Sequence, residues 1–135
     1  MNLGDIIWPN DVRAACTHYL NFLLKVVDKL EIVFPSSRPD PRIVARRYIL
    51  GEISEEEYRA AADPWWDSLE GPQLLSFRDP TVLIARLALC LLYARLEEAP
   101  RLADHLSWFF EVLGFMGKDL REPEEMMATH FTTAR

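Results

Sequence analysis

The stretch VRAACTHYLNFLLKVVDKLEIVF, residues 12–34, decides the fold class. Its apolar residues include Val12, Ala15, Cys16, Tyr19, Leu20, Leu23, Val26, Val27, Leu30 and Val33. That spacing lays one stripe along a helix of about 3.6 residues per turn, where a half-buried strand would alternate at every second residue. Asn10 or Asp11 precedes the stripe and offers a side-chain acceptor to an orphan N–H of the first turn. Pro35 and the SSRPDP run behind it stop the pattern. A first helix from Val12 to Phe34 is therefore expected.

The same start and stop chemistry recurs along the rest of the chain. Asp40 caps and Pro41 takes the first helical position of a second helix, Pro41 to Leu50, because the N–H that proline lacks has no partner there. Gly51 ends it, since glycine readily takes the left-handed cap conformation. Ser54 and Glu57 form a capping box that opens a third helix. Asp63-Pro64 and Asp79-Pro80 repeat the cap-then-proline pattern. The first pair starts a short helix carrying Trp65 and Trp66, or kinks the preceding one. The second starts a helix from Pro80 to Glu98 that is apolar nearly all round, so it must be central and wrapped by the others. Pro100 begins a further helix with Leu102, Leu106, Phe109, Phe110 and Leu113 on one stripe, closed by Gly114 and Gly117. A last short helix follows Pro123, and the tail at about 129–135 is expected to fray. No alternating pattern and no fixed-period repeat interrupts this reading. The expected fold is all-α: a single domain over residues 1–135, a bundle of five to seven helices around a central Leu-rich helix at about 80–98.

Charge and composition exclude several classes of function. The net charge of -6 disfavours nucleic acid, which needs Lys and Arg to displace counterions from phosphates, and disfavours anionic membrane surfaces. The segment MNLGDIIWPNDVR lacks a basic start followed by an apolar block, so no secretory signal is expected. The most apolar run, Val82 to Leu96, contains Arg86 and Arg95 and falls short of the roughly 20 residues of a membrane span. A cytoplasmic protein is the expectation, with Cys16 and Cys90 as free core thiols.

Motifs for catalysis are missing from the pattern. A di-iron bundle requires Glu three residues before His, and the residues three before His18, His105 and His130 are Ala15, Leu102 and Met127. The five glycines are scattered, so no phosphate cradle opens a helix. His105 beside Asp104 reads as a partly exposed helix residue. No catalytic residue, cofactor or metal ligand is expected. The segment RIVARRYILGEISEEEYRAAA has the outline of helix, turn, helix, but its second helix would face phosphates with Glu55, Glu56 and Glu57. From Glu52 to Glu70 there are seven acids and one base, Arg59, a net charge of -6 that rules this helix out as a nucleic-acid reader. The preceding Arg38 to Arg47 carries four arginines against Asp40, net +3; those arginines pair across the hairpin with its acids or flank a binding surface.

Two adjacent tryptophans sit inside the acidic run. Neighbours on a helix point about 100° apart, so one face cannot bury both equally. Either one ring turns inward and the other stays half out at the core edge, or at least one is an exposed anchor within an acidic rim. Tryptophan is enriched at interface hot spots, and surrounding acids would steer a basic partner.

The order SRPDPRIVARRYILGEISEEEYRAAA, residues 37–62, resembles the centre of an immunity-protein family from bacterial polymorphic-toxin systems. The resemblance is carried by Arg38, Pro39, Pro41, Arg42, Ala45, Gly51, Glu52, Ile53, Ser54 and Ala60. It implies an all-helical protein that binds a cognate toxin in the producing cell and blocks it, without catalysis. On this reading Trp65, Trp66, Glu55, Glu56, Asp67 and Glu70 form the contact surface for a toxin domain, and a basic one suits their charge. The alternative is a helical adaptor or regulatory subunit that oligomerises through the Leu-rich helix and Phe109/Phe110. The oligomeric state is left open by the sequence. An enzyme with ligands scattered through the chain is the third reading.

Overall fold

Four of the α-helices start where a short polar side chain takes over an N–H of the first turn. The computed structural model describes residues 3–69 and 77–134, and among these it contains seven α-helices and no strand. They are α1 (Val12–Lys29), α2 (Pro41–Ile49), α3 (Glu55–Ala60), α4 (Asp63–Trp66), α5 (Pro80–Leu91), α6 (Leu102–Phe115) and α7 (Arg121–His130). Asp11 caps α1 through Ala14 N at 2.8 Å, Asp40 caps α2 through Arg42 N at 2.9 Å, and Asp79 caps α5 through Thr81 N at 2.9 Å. The capping box of Ser54 and Glu57 is formed in both directions. Asp63 departs from the expectation: it is the first residue of α4, which follows Ala62 without a side-chain cap.

Three helices end in the same turn. After α1, α2 and α6 the residue beyond the cap takes positive φ, at Glu31 (55°), Gly51 (74°) and Gly117 (78°). In each case the next N–H reaches back to a carbonyl five residues earlier: Ile32 to Val27 at 3.0 Å, Glu52 to Arg47 at 2.9 Å, Lys118 to Leu113 at 3.1 Å. This is the Schellman arrangement, which satisfies carbonyls the helix leaves open. It ends α1 at Lys29, short of the expected Phe34. Beyond it the chain is not helical: Ile32 and Phe34 are buried and Val33 between them is 80% exposed, a two-residue alternation.

Helix α5 is the centre of the bundle, packed against α6, α4, α2 and α1. Val82, Leu83, Ala85, Leu87, Ala88, Leu89, Cys90 and Leu91 are all buried on it, as expected for a helix apolar nearly all round. It is shorter than the expected 80–98. The hydroxyl of buried Tyr58 donates to Leu91 O at 2.8 Å and accepts from Ala94 N at 3.0 Å, so a side chain takes the place of the next helical turn. The chain then runs without helix through Tyr93, Ala94 and Arg95 into a 3₁₀ helix, Leu96–Arg101. Pro100 lies inside that turn and does not open α6.

The C-terminal segment is tied down, contrary to the expected fraying. Ile7 N donates to Thr132 O at 2.8 Å and Ala134 N to Asp5 O at 2.8 Å, around an isolated bridge between Ile6 and Thr133. Phe131 is 4% exposed and packs on Phe22 and Trp8 at ring distances of 5.1 Å each. Paired backbone and a buried ring give this tail what a free terminus lacks.

Candidate functional site

Apart from Glu70, the expected contact residues sit on α3, α4 and the turn after them, against the loop that follows α5. Glu55 is held by its own protein. Its carboxylate accepts from the Tyr48 hydroxyl, lies 3.7 Å from Arg59 and faces Leu96 N at 3.5 Å. Tyr48 stacks flat on Tyr58, 4.0 Å apart at 7°. Burial first, and then the hydrogen bond to Glu55, pushes the Tyr48 phenol well above its ordinary range, so it stays a donor. Arg59 also hydrogen-bonds both oxygens of Glu97, which holds that carboxyl below the usual range. Glu55 therefore ties α2, α3 and the Leu96 turn together and is not free to meet a partner.

The tryptophans divide between inside and outside. Trp65 is 1% exposed, edge-on to Phe34 at 6.1 Å, with the Arg38 guanidinium 5.9 Å above its ring. Arg38 is fixed there by donating to Pro64 O at 2.7 Å. Trp65 is thus a core residue and cannot serve as a contact anchor. Trp66 is 43% exposed and meets Tyr93 edge-on at 6.1 Å. Asp63, Asp67 and, on the first turn of α3, Glu56 are exposed. None of the three forms an ion pair with another described residue. Glu70 lies outside the described residues.

Trp66 stands at the edge of a hollow of about 230 Å³ that includes Tyr93, His105 and Trp108. The protein's own arginines stack on its rings, Arg95 over Tyr93 at 4.1 Å and Arg86 over Trp108 at 5.7 Å; Arg86 also lies over Phe77, outside the hollow, at 5.2 Å. His105 Nε2 is 2.8 Å from Glu98 Oε1, and Arg101 donates to the other oxygen of Glu98 at 3.0 Å. The partner of His105 is Glu98, seven residues back, and its sequence neighbour Asp104 is exposed.

The arginine run pairs mainly with its own Asp40 and with Asp28 of α1. Arg42 holds Asp40 at 2.9 Å and approaches Asp28 at 4.0 Å; Arg46 also pairs with Asp28, and Arg47 pairs with Glu52 in the turn after α2 at 3.6 Å. Burial opposes ionisation of Asp40, but the hydrogen bonds from Arg42 outweigh it and lower its pKa.

Tyr93 and Trp108 were not legible as neighbours of Trp66. In the sequence Tyr93 reads as one more core residue of a long helix; the stop at Leu91 turns it toward Trp66. Cys16 and Cys90 are buried and free, as expected, and burial pushes their thiols up to about 11 and about 12. Among the described residues no group of three or more His, Cys, Asp and Glu could hold a metal ion, and no helix is long and apolar enough to cross a membrane.

A scan against protein-family models, a search of curated proteins and a search of solved structures each found no match to this chain.

Proposed function

We propose that this chain is a binding protein of the immunity type, acting in the cytoplasm of a bacterial cell by occupying a cognate toxin domain, without catalysis. The observation that carries the reading is Trp66. It keeps 43% of its surface in solvent beside exposed Asp63 and Asp67, while the adjacent Trp65 is sealed. A half-exposed indole on a short helix held by the core presents large apolar area at little entropic cost. The unpaired acids around it raise the on-rate of a basic partner and bias its orientation. The resemblance of residues 37–62 to the immunity family supports the same conclusion. The contact surface proposed is Trp66, Asp67 and Glu56, without Trp65 and Glu55. A one-to-one complex burying about 800 Å² per partner is expected.

Co-expression tests it. The chain should rescue growth of cells producing the toxin encoded beside it and co-purify with that toxin in equal amount. Failure of both rescue and co-purification would overturn the reading. A tight homo-oligomer that hides Trp66, seen by light scattering, would favour the adaptor instead.

A further inference from the structure

A second surface, away from Trp66, has the chemistry of a peptide groove. Between α6, α7 and the N-terminal 3₁₀ turn (Leu3–Asp5) lies a depression of about 1020 Å³. Phe110, Phe115, Leu120 and Met127 supply its apolar lining, and Phe115 is 48% exposed. Gly114 adds no side chain, and the nearest atom to a Cβ there would be Leu120 Cδ1 at 3.9 Å, so the wall stays open. From Ser107 to Phe115 the α6 wall runs for about 12 Å, roughly two helical turns.

Its charge selects the occupant. Glu111, Glu124 and Glu125 stand on the groove, are exposed, and form no ion pair with any described residue. The one basic lining residue, Arg121, is spent on Asp119, with Nη2 to Oδ2 at 2.7 Å and Nε to both oxygens at 3.1 Å. An apolar trough with three uncompensated carboxylates fits a helix whose apolar stripe lies between basic residues. An acidic or wholly apolar segment would leave those carboxylates repelled or desolvated.

We propose that the α6–α7 groove docks a basic amphipathic helix of a partner protein. The assignment is independent of the Trp66 reading, and the experiment separates the two. A labelled Leu/Lys peptide of about 18 residues with leucines at helical spacing is titrated into the full chain and followed by anisotropy. The expected result is saturable binding that weakens about tenfold or more in Glu124→Lys/Glu125→Lys, is lost in Ala128→Trp, which fills the groove from an exposed position, and is unchanged in Trp66→Ala. Circular dichroism checks that each variant keeps the wild-type helix content. Absence of binding would overturn the proposal. Equal binding of a scrambled Leu/Lys peptide, equal binding to the groove variants, or loss of binding in Trp66→Ala would do the same.

Discussion

The Tyr58 hydroxyl donates a 2.8 Å hydrogen bond to the carbonyl of Leu91, at the last turn of the central helix. It also accepts from Ala94 N at 3.0 Å, so one buried phenol serves both sides of the break in α5. Burial is the main reason its ionisation is pushed far above the ordinary phenol range.

Removing that hydroxyl strands two buried backbone groups. Tyr58→Phe should destabilise the protein by about 1–3 kcal/mol, read as a lower urea midpoint at unchanged slope. Tyr19 makes the contrast. It is 1% exposed and its hydroxyl has no hydrogen-bond partner among the described residues. Tyr19→Phe should therefore be neutral or stabilising by up to about 1 kcal/mol in the same assay.

The three matched helix ends predict opposite signs. Gly51 and Gly117 sit at φ 74° and 78° at no steric cost, while Glu31 holds the same conformation at 55° with a Cβ. Gly51→Ala and Gly117→Ala should each cost about 1 kcal/mol, although nothing lies within 4 Å of a Cβ at either site. Glu31→Gly should stabilise by about 0.5–1 kcal/mol. Chemical denaturation of the three variants checks the signs together.

His130 predicts a dependence on pH. Its Nε2 is 2.8 Å from His18 O and its Nδ1 is 3.1 Å from Lys25 Nζ. A carbonyl only accepts and an ammonium only donates, so the neutral ring carries its proton on Nε2. A second proton would face Lys25 with His18 stacked 4.1 Å away. Burial lowers the His130 pKa from 6.5, outweighing the hydrogen bond to His18 O that favours the charged ring, and nearby Lys25 adds to the lowering. The unfolded chain therefore binds more protons near pH 6, and stability falls as pH drops from above 6.5 through the lowered value. Urea midpoints should decline over that window in the wild type and flatten in His130→Gln.

The local chemistry of starts and stops was readable because caps and glycines act through the nearest few residues. The Ser54–Glu57 box, the Asp11, Asp40 and Asp79 caps and the Gly51 stop all stand where spacing puts them. The lengths of α1 and α5 were not, because what ends them is not local apolarity. The helical stripe continues past Lys29, but Glu31 turns the chain by left-handed backbone. The Leu-rich run continues past Leu91, but Tyr58, more than thirty residues earlier, intercepts it. The same limit applied to the site. Spacing told that Trp65 and Trp66 must face different ways; which one stays outside depended on Phe34, Arg38 and Tyr93. Glu55 looked like a surface acid until Tyr48 and Arg59 closed on it.

The tryptophan pair should separate stability from binding. Trp65→Ala removes a sealed ring and should cost about 3–5 kcal/mol. Trp66→Ala removes a half-exposed one and should leave the urea midpoint within about 1 kcal/mol of wild type.

The most direct measurement is a calorimetric titration of the purified chain with the toxin domain that the proposed function assigns to it, comparing wild type with Trp66→Ala. One-to-one binding is expected, weakened by about thirtyfold or more in Trp66→Ala, the mark of a hot spot of about 2 kcal/mol. A folded Trp66→Ala variant that binds and protects as well as the wild type would contradict it.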